Sequence, residues 1–234
     1  PDLHELVIDP SNSRRLLMGT DGGVYQSWNG GESWAHLSTF PMGEFYRIAL
    51  DQSVPYRICG GLQDNVNWVG PSRTRTKDGI VNADWTHIYG GDGFYCIFDA
   101  DDPDIVYAES QSGYAFRIHL KSGAVKMLRP EPSEGQQAFR FHWNSPLVPS
   151  RHHKGMFYLA GNRVFEMTER GEHWKAISPD LSTQDVQKIL AVGSGAETYG
   201  VVFALSESPV KAGTVWAGTD DGKVWVTENQ GEQW

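Results

Sequence analysis

The chain has 234 residues, a formal net charge of -9 and a sequence pI near 5.3, a balance without the basic footprint that phosphate binding requires, so a nucleic-acid partner is excluded. Its apolar runs fall far short of the ~20 residues that a bilayer-spanning helix needs, which excludes membrane insertion by helices. Nine Trp, 26 Gly and modest charge suit a secreted or periplasmic all-β protein, although no leader sequence is visible.

In chain order, a unit of short strands recurs about five times. The first opens with an apolar strand ending at an acid (residues 6–9), then a Pro-bearing turn, a second apolar strand (16–19) and the polar turn Thr20-Asp21-Gly22-Gly23. An alternating third strand (24–27) leads to the tract Ser27-Trp28-Asn29-Gly30-Gly31-Glu32-Ser33-Trp34. That tract returns as Met167-Thr168-Glu169-Arg170-Gly171-Glu172-His173-Trp174 and as Thr227-Glu228-Asn229-Gln230-Gly231-Glu232-Gln233-Trp234. Each copy suits a tight turn. Gly31, Gly171 and Gly231 supply the unusual backbone angle, and Asn29, Glu169 and Asn229 can bond back to turn amides. Trp34, Trp174 and Trp234 then plug between neighbouring sheets.

The second unit has strands at 48–51 and 56–60, a turn carrying Asp64 and Asn65, a third strand with Trp68, and a charged insertion over 70–83 containing Arg73, Arg75, Lys77 and Asp78. Residues 90–94, Gly-Gly-Asp-Gly-Phe, lead into the third unit, whose strands fall at 96–99 and 105–108. The fourth places Arg140, His142 and Asn144 on one face of an innermost strand, with Trp143 opposite, before strands at 145–148 and 156–160. A short surface helix at 182–190 carries an N-cap signal in residues 181–185. The fifth unit follows, with strands at 202–205, 214–218 and 223–227.

Four short strands repeated roughly every 42 to 57 residues predict a β-propeller of four-stranded antiparallel blades. About five blade repeats fit, near 1–40, 41–90, 91–135, 136–180 and 195–234, and the expected object is an arc of a larger propeller. Cys59 and Cys96 fall in strands of different blades and read as free core thiols, with a disulfide as the alternative.

The three turn tracts resemble the motif Ser-X-Asp-X-Gly-X-Thr-Trp of the Asp-box, or bacterial neuraminidase repeat, propellers, with Asn29, Glu169 and Asn229 in place of its Asp. Residues 60–65, 68–74, 90–94 and 140–146, with Asp180, resemble bacterial sortilin-like, glycosyl-hydrolase-like proteins of mostly unassigned activity. The resemblance implies a rigid propeller whose box is structural. It transfers no catalytic role, because sialidases, xyloglucanase-type glycosidases and sortilin-type receptors share the box. The Arg-Ile-Pro tract that opens sialidases is absent, and Arg47-Ile48-Ala49 comes closest.

Candidate chemistry lies in the loops such a scaffold carries. Asp64 and Asp92 are the carboxylate pair to test for glycoside hydrolysis, although Asp before Asn or Gly is also common turn chemistry. Arg73 and Arg75 suit an anionic or carboxylate-bearing ligand. Asn65, Trp68, Arg140, His142 and Asn144 are candidates for holding a peptide or glycan at a channel mouth. Trp28, Trp68 and Trp85 are the tryptophans placed to reach a ligand, whereas Trp216 and Trp225 read as packed within strands. No metal spacing, phosphate loop or nucleophile elbow occurs, so no cofactor or metal is expected. The leading expectation is an extracytoplasmic binding or scaffolding module for a peptide, protein or glycan. A glycoside hydrolase and a structural arc bound to the rest of a longer chain are the alternatives.

Overall fold

A computed structural model describes residues 2–38, 43–190 and 198–234. Five antiparallel sheets follow one another along the chain, each built from consecutive strands in simple up-and-down order. The first contains β1 (Leu3–Asp9), β2 (Asn12–Thr20), β3 (Gly23–Ser27) and β4 (Ala35–His36). The second contains β5 (Phe45–Leu50), β6 (Arg57–Leu62), β7 (Asn67–Pro71) and β8 (Thr86–Tyr89). The third is β9 (Cys96–Phe98), β10 (Ile105–Glu109), β11 (Ala115–His119) and β12 (Val125–Met127). The fourth is β13 (Leu147–Pro149), β14 (Phe157–Ala160), β15 (Val164–Thr168) and β16 (His173–Ala176). The fifth has three strands among the described residues, β17 (Val202–Glu207), β18 (Val215–Thr219) and β19 (Val224–Thr227). This is a β-propeller arrangement whose sheets do not close into a ring. Among the described residues one short α-helix, α1 (Val186–Ile189), begins at Asp185, whose carboxylate accepts from the backbone of Gln187 and Lys188.

Side chains alternate across each strand, so a middle sheet buries both faces. In β10, Ile105 and Tyr107 pack with Leu147, Phe157 and Leu159 of the fourth sheet. The intervening Val106 and Ala108 pack with Cys59 and Val69 of the second. Likewise Tyr158 and Ala160 of β14 face Val202, Val215 and Ala217 of the fifth sheet. Burial of both faces makes these strands continuous apolar runs. The first sheet is different, because β1 is exposed along nearly its whole length. Side-chain bonds from Asn65 to the Asp21 carbonyl and from Asn82 to the Ser38 carbonyl tie it to the second sheet.

The three repeated turns share one backbone plan. Their fourth and fifth residues are left-handed, with φ of 75° and 94° at Gly30 and Gly31, 59° and 81° at Arg170 and Gly171, and 56° and 91° at Gln230 and Gly231. The fourth residue donates its amide to a carbonyl of the sheet's other hairpin: Gly30 to Arg14, Arg170 to Gly155, Gln230 to Gly213. In the first turn, Ser27 Oγ donates to Asn29 Oδ1 at 2.9 Å and accepts from Gly31 N, while Ser33 N donates to Asn29 Oδ1 at 3.0 Å. Thr227, Asn229, Gly231 and Gln233 reproduce this network in the third. The middle turn keeps the backbone bond but lacks the hydroxyl network, since Met167 has no hydroxyl and is fully buried in the core.

Four expectations change. Cys59 and Cys96 form a disulfide with Cα atoms 5.8 Å apart, because the seam between the second and third sheets sets β6 beside β9. The repeated tryptophans are only partly covered: Trp34 is 37% and Trp174 40% exposed. Trp234 does reach across its seam, donating Nε1 to the Ile177 carbonyl at 2.8 Å. Residues 140–144 form no strand but an irregular stretch and turn ahead of β13, so the expected sharing of one face by Arg140, His142 and Asn144 does not arise. Trp216 is 51% exposed, on the face of β18 that points away from the fourth sheet.

Candidate functional site

Two glycines create the candidate site. A Cβ on Gly61 would lie 2.1 Å from the Gly93 carbonyl carbon, and one on Gly93 would lie 2.3 Å from the Val66 carbonyl oxygen. Only bare backbone permits that approach. It lays the turn between β6 and β7 against the lead-in to β9, where Gly93 N donates to the Leu62 carbonyl at 2.9 Å. Asp64, in the left-handed region with φ 57°, is thereby set beside Asp92. Asp64 N donates to Asp92 Oδ1 at 3.1 Å, and Trp143 Nε1 donates to Asp92 Oδ2 at 2.8 Å.

The Asp64 amide bond to Asp92 sets the two acids side by side at the mouth. Burial, then the negative charges of Asp92 and Asp21, push the Asp64 carboxyl above its ordinary value. Asp92 is buried whereas Asp64 faces solvent. Tyr46 of β5 joins the rim: its hydroxyl contacts Gln63 Oε1 and its ring lies 4.9 Å from Phe94. Burial and then Asp92, Asp64 and Glu44 push that phenol up as well. The first sheet contributes Asp21, whose carboxylate contacts His4 and raises that imidazole chiefly through the hydrogen bond.

Below the rim, the innermost strands β5, β9 and β13 line a cavity of about 710 Å³. Its walls include Tyr46, Ile48, Tyr95, Ile97 and Val148, with the Arg47 guanidinium 4.5 Å from the Tyr95 ring centre.

The sequence-derived candidates divide into three places. Asp64, Asp92, Asn65 and Trp68 meet at the mouth, where Asn65 Nδ2 donates to the carbonyls of Asp21 and Gln63, and Trp68 Nε1 donates to the Asn65 carbonyl at 2.6 Å. Arg140 and His142 turn toward the seam between the fourth and fifth sheets, whereas Asn144 Oδ1 is buried without a hydrogen-bond partner among the described residues. Arg140 Nη2 donates to Asp180 Oδ2, Ser182 Oγ and the Gly200 carbonyl. His142 Nδ1 accepts from Asn144 N, and its ring meets Phe203 edge-on at 4.9 Å. Arg73 and Arg75 are exposed beyond Pro71, at the opposite end of β7 from the mouth, without a side-chain partner among the described residues. Of the tryptophans, Trp28 is 62% exposed beneath Arg15, while Trp85 is half-buried over Gly70.

Sequence reasoning missed Trp143, Tyr46 and Gln63. Strand alternation put Trp143 on the far face from its neighbours, but the chain there is a turn and the indole swings onto Asp92. Among the described residues no group of three or more His, Cys, Asp or Glu is arranged to hold a metal.

No protein-family model and no curated protein matches the chain. Solved structures do. A GH74 xyloglucanase from Xanthomonas campestris is similar over 97% of this chain and 36% of its own, at 15% identity and a TM-score of 0.51. A GH74 enzyme from Niastella koreensis covers 99% of this chain and 37% of its own, at 17% identity and a TM-score of 0.55. An ancestral GH74 enzyme covers 99% and 30%, at 14% identity and 0.52. The chain thus spans about a third of the length of these enzymes, and the likeness is one of fold.

Proposed function

We propose that this propeller is an extracytoplasmic binding module that recognises a glycan at the mouth built from Asp64, Asp92, Asn65, Tyr46, Gln63 and Trp143. The observation that carries it is the Asp92 carboxylate held between the Asp64 amide and the Trp143 indole, ringed by the Tyr46 phenol and the amides of Gln63 and Asn65. That set offers both donors and acceptors to sugar hydroxyls. The xyloglucanase that shares the fold favours a glycan over a peptide. The disulfide supports an oxidising compartment. The turn geometry, with hydroxyl, amide and glycine in fixed roles, supports kinship with Asp-box propellers of the sortilin-like kind. Apolar faces left open on the first and fifth sheets, including Leu6, Ile8, Trp216 and Val224, favour an additional scaffolding role against protein.

Glycoside hydrolysis is the second reading, favoured by the raised Asp64 carboxyl as a proton donor. Against it, both Asp92 oxygens are already engaged, Oδ1 by the Asp64 amide and Oδ2 by the Trp143 indole, so neither is left unengaged to act as nucleophile or base. One experiment separates the readings. Binding and turnover of a polysaccharide panel are measured for the native chain and for Asp64→Asn and Trp143→Ala. The binding reading expects affinity to fall about tenfold or more in Trp143→Ala with no reducing ends released by any form. Native turnover abolished in Asp64→Asn would replace it with the hydrolase, and unchanged affinity in both variants would remove the mouth as the site.

A further inference from the structure

We propose that the seam between the second and third sheets holds a separate subsite for an uncharged sugar unit, a step that rests on the glycan reading above. A cavity of about 580 Å³ opens there, within the ~300–1,000 Å³ range of small-ligand pockets. Tyr89, Phe116 and Tyr114 form its apolar walls, and Ser110, Gln111 and Ser112 supply its polar groups. No carboxylate or basic side chain lines it.

The walls are fixed before any ligand arrives. Tyr89 and Phe116 stack with ring centres 3.7 Å apart. Tyr114 is 44% exposed, and its ring lies 4.8 Å from the Arg129 guanidinium. Arg129 is held in turn over Phe141 at 4.6 Å and donates Nε to the Ser112 carbonyl at 3.1 Å. Gly91, with φ 79°, brings the linker against the polar groups: a Cβ there would stand 2.5 Å from both Ser110 Oγ and Gln111 Oε1. An exposed aromatic face beside hydroxyl and amide groups matches a pyranose, whose C–H face covers a ring while its hydroxyls bond at the edge. Position fixes the charge class. Trp143 joins the two places, its indole on Asp92 and its carbonyl accepting from Ser112 N at 3.1 Å, so the seam cavity adjoins the mouth, and the carboxylates of the mouth in a chain of net charge -9 repel an anionic sugar.

Isothermal titration calorimetry with cellohexaose, mannohexaose and xylohexaose, beside hexagalacturonate, tests this on the whole chain. A neutral hexaose is expected to bind, with Tyr114→Ala weakening it about tenfold or more and Gln111→Ala several-fold. Circular dichroism checks the fold of each variant, and Gln111→Ala decides the matter if Tyr114→Ala does not fold. Neutral binding that weakens in Trp143→Ala but stays intact in both Tyr114→Ala and Gln111→Ala overturns the seam subsite and leaves the mouth standing. Binding of hexagalacturonate alone also overturns it. No binding of any hexaose removes the subsite and the glycan reading together.

Discussion

Glu109 has no exposed surface, and only one of its carboxyl oxygens has partners: Oε1 accepts from Gly113 N and Ser145 N, both at 3.3 Å, while Oε2 is unpartnered. Burial dominates and pushes this carboxyl well above its ordinary value. A raised folded-state pKa favours the protonated native form, so Glu109 contributes full stability below the ordinary carboxylate range and loses it as pH rises through the folded value. Asp99 runs the other way. Burial would raise it, but hydrogen bonds from Tyr107 Oη, the Asp101 and Asp102 backbone and the Arg170 guanidinium outweigh that and hold it low. Its stabilisation is present above the ordinary value and disappears as pH falls. Glu109→Gln mimics the protonated group, so its melting temperature is expected to match the native chain in mild acid and to exceed it increasingly with rising pH. Parallel melting curves across the pH series would refute this assignment. Neither acid was legible in the sequence as special, because Glu109 merely ends an apolar strand and Asp99 follows one.

Among the elements, the repeated turns separate two roles for glycine. Gly30 is left-handed but has open space around it, and the equivalent Gln230 shows that a side chain is tolerated. A Cβ on Gly231 would lie 2.2 Å from the Ile177 carbonyl oxygen of the preceding sheet, a backbone atom that cannot swing away. Gly30→Ala is expected to cost about 1 kcal/mol, and Gly231→Ala about 3 kcal/mol or more, in urea unfolding. Equal costs would mean that the turn does not lock the seam. The fourth position of the turn also reaches backward: Arg170 forks onto Asp99 of the third sheet, and Gln230 Nε2 donates to Glu166 of the fourth at 2.8 Å. The turn and its glycine could be read from the repeat, since Gly recurs at the same offset in all three copies and the hydroxyl and amide in two. Those backward contacts could not, because they join residues 64 or more positions apart and no local spacing encodes them. The same limit explains the 140–144 stretch, where alternating polarity suggested a strand but, among the described residues, no strand pairs with it and the Arg140 backbone bonds Asn162 instead.

For the molecule as a whole, the five-sheet order was legible because each sheet is local in sequence, with antiparallel neighbours joined by short turns. How the sheets stack was legible only as a principle. The meeting of Asp64 with Asp92 across a seam could be anticipated from blade geometry, whereas the pairing of Cys59 with Cys96 depended on a register between sheets that cysteine's ordinary role as a small core hydrophobe concealed.

That bond closes a covalent loop, and the exposed stretch carrying Arg73, Arg75 and Lys77 lies inside it. Trypsin cutting there would leave both halves of the polypeptide fastened to each other. A brief digest is therefore expected to run as one full-length band on a non-reducing gel and to separate into two pieces once dithiothreitol is added. Separation without reductant would show that the cut falls elsewhere or that the thiols are not joined. A nick in this charged excursion would thus be silent to size measurements in an oxidising medium and would release a fragment on transfer to a reducing one.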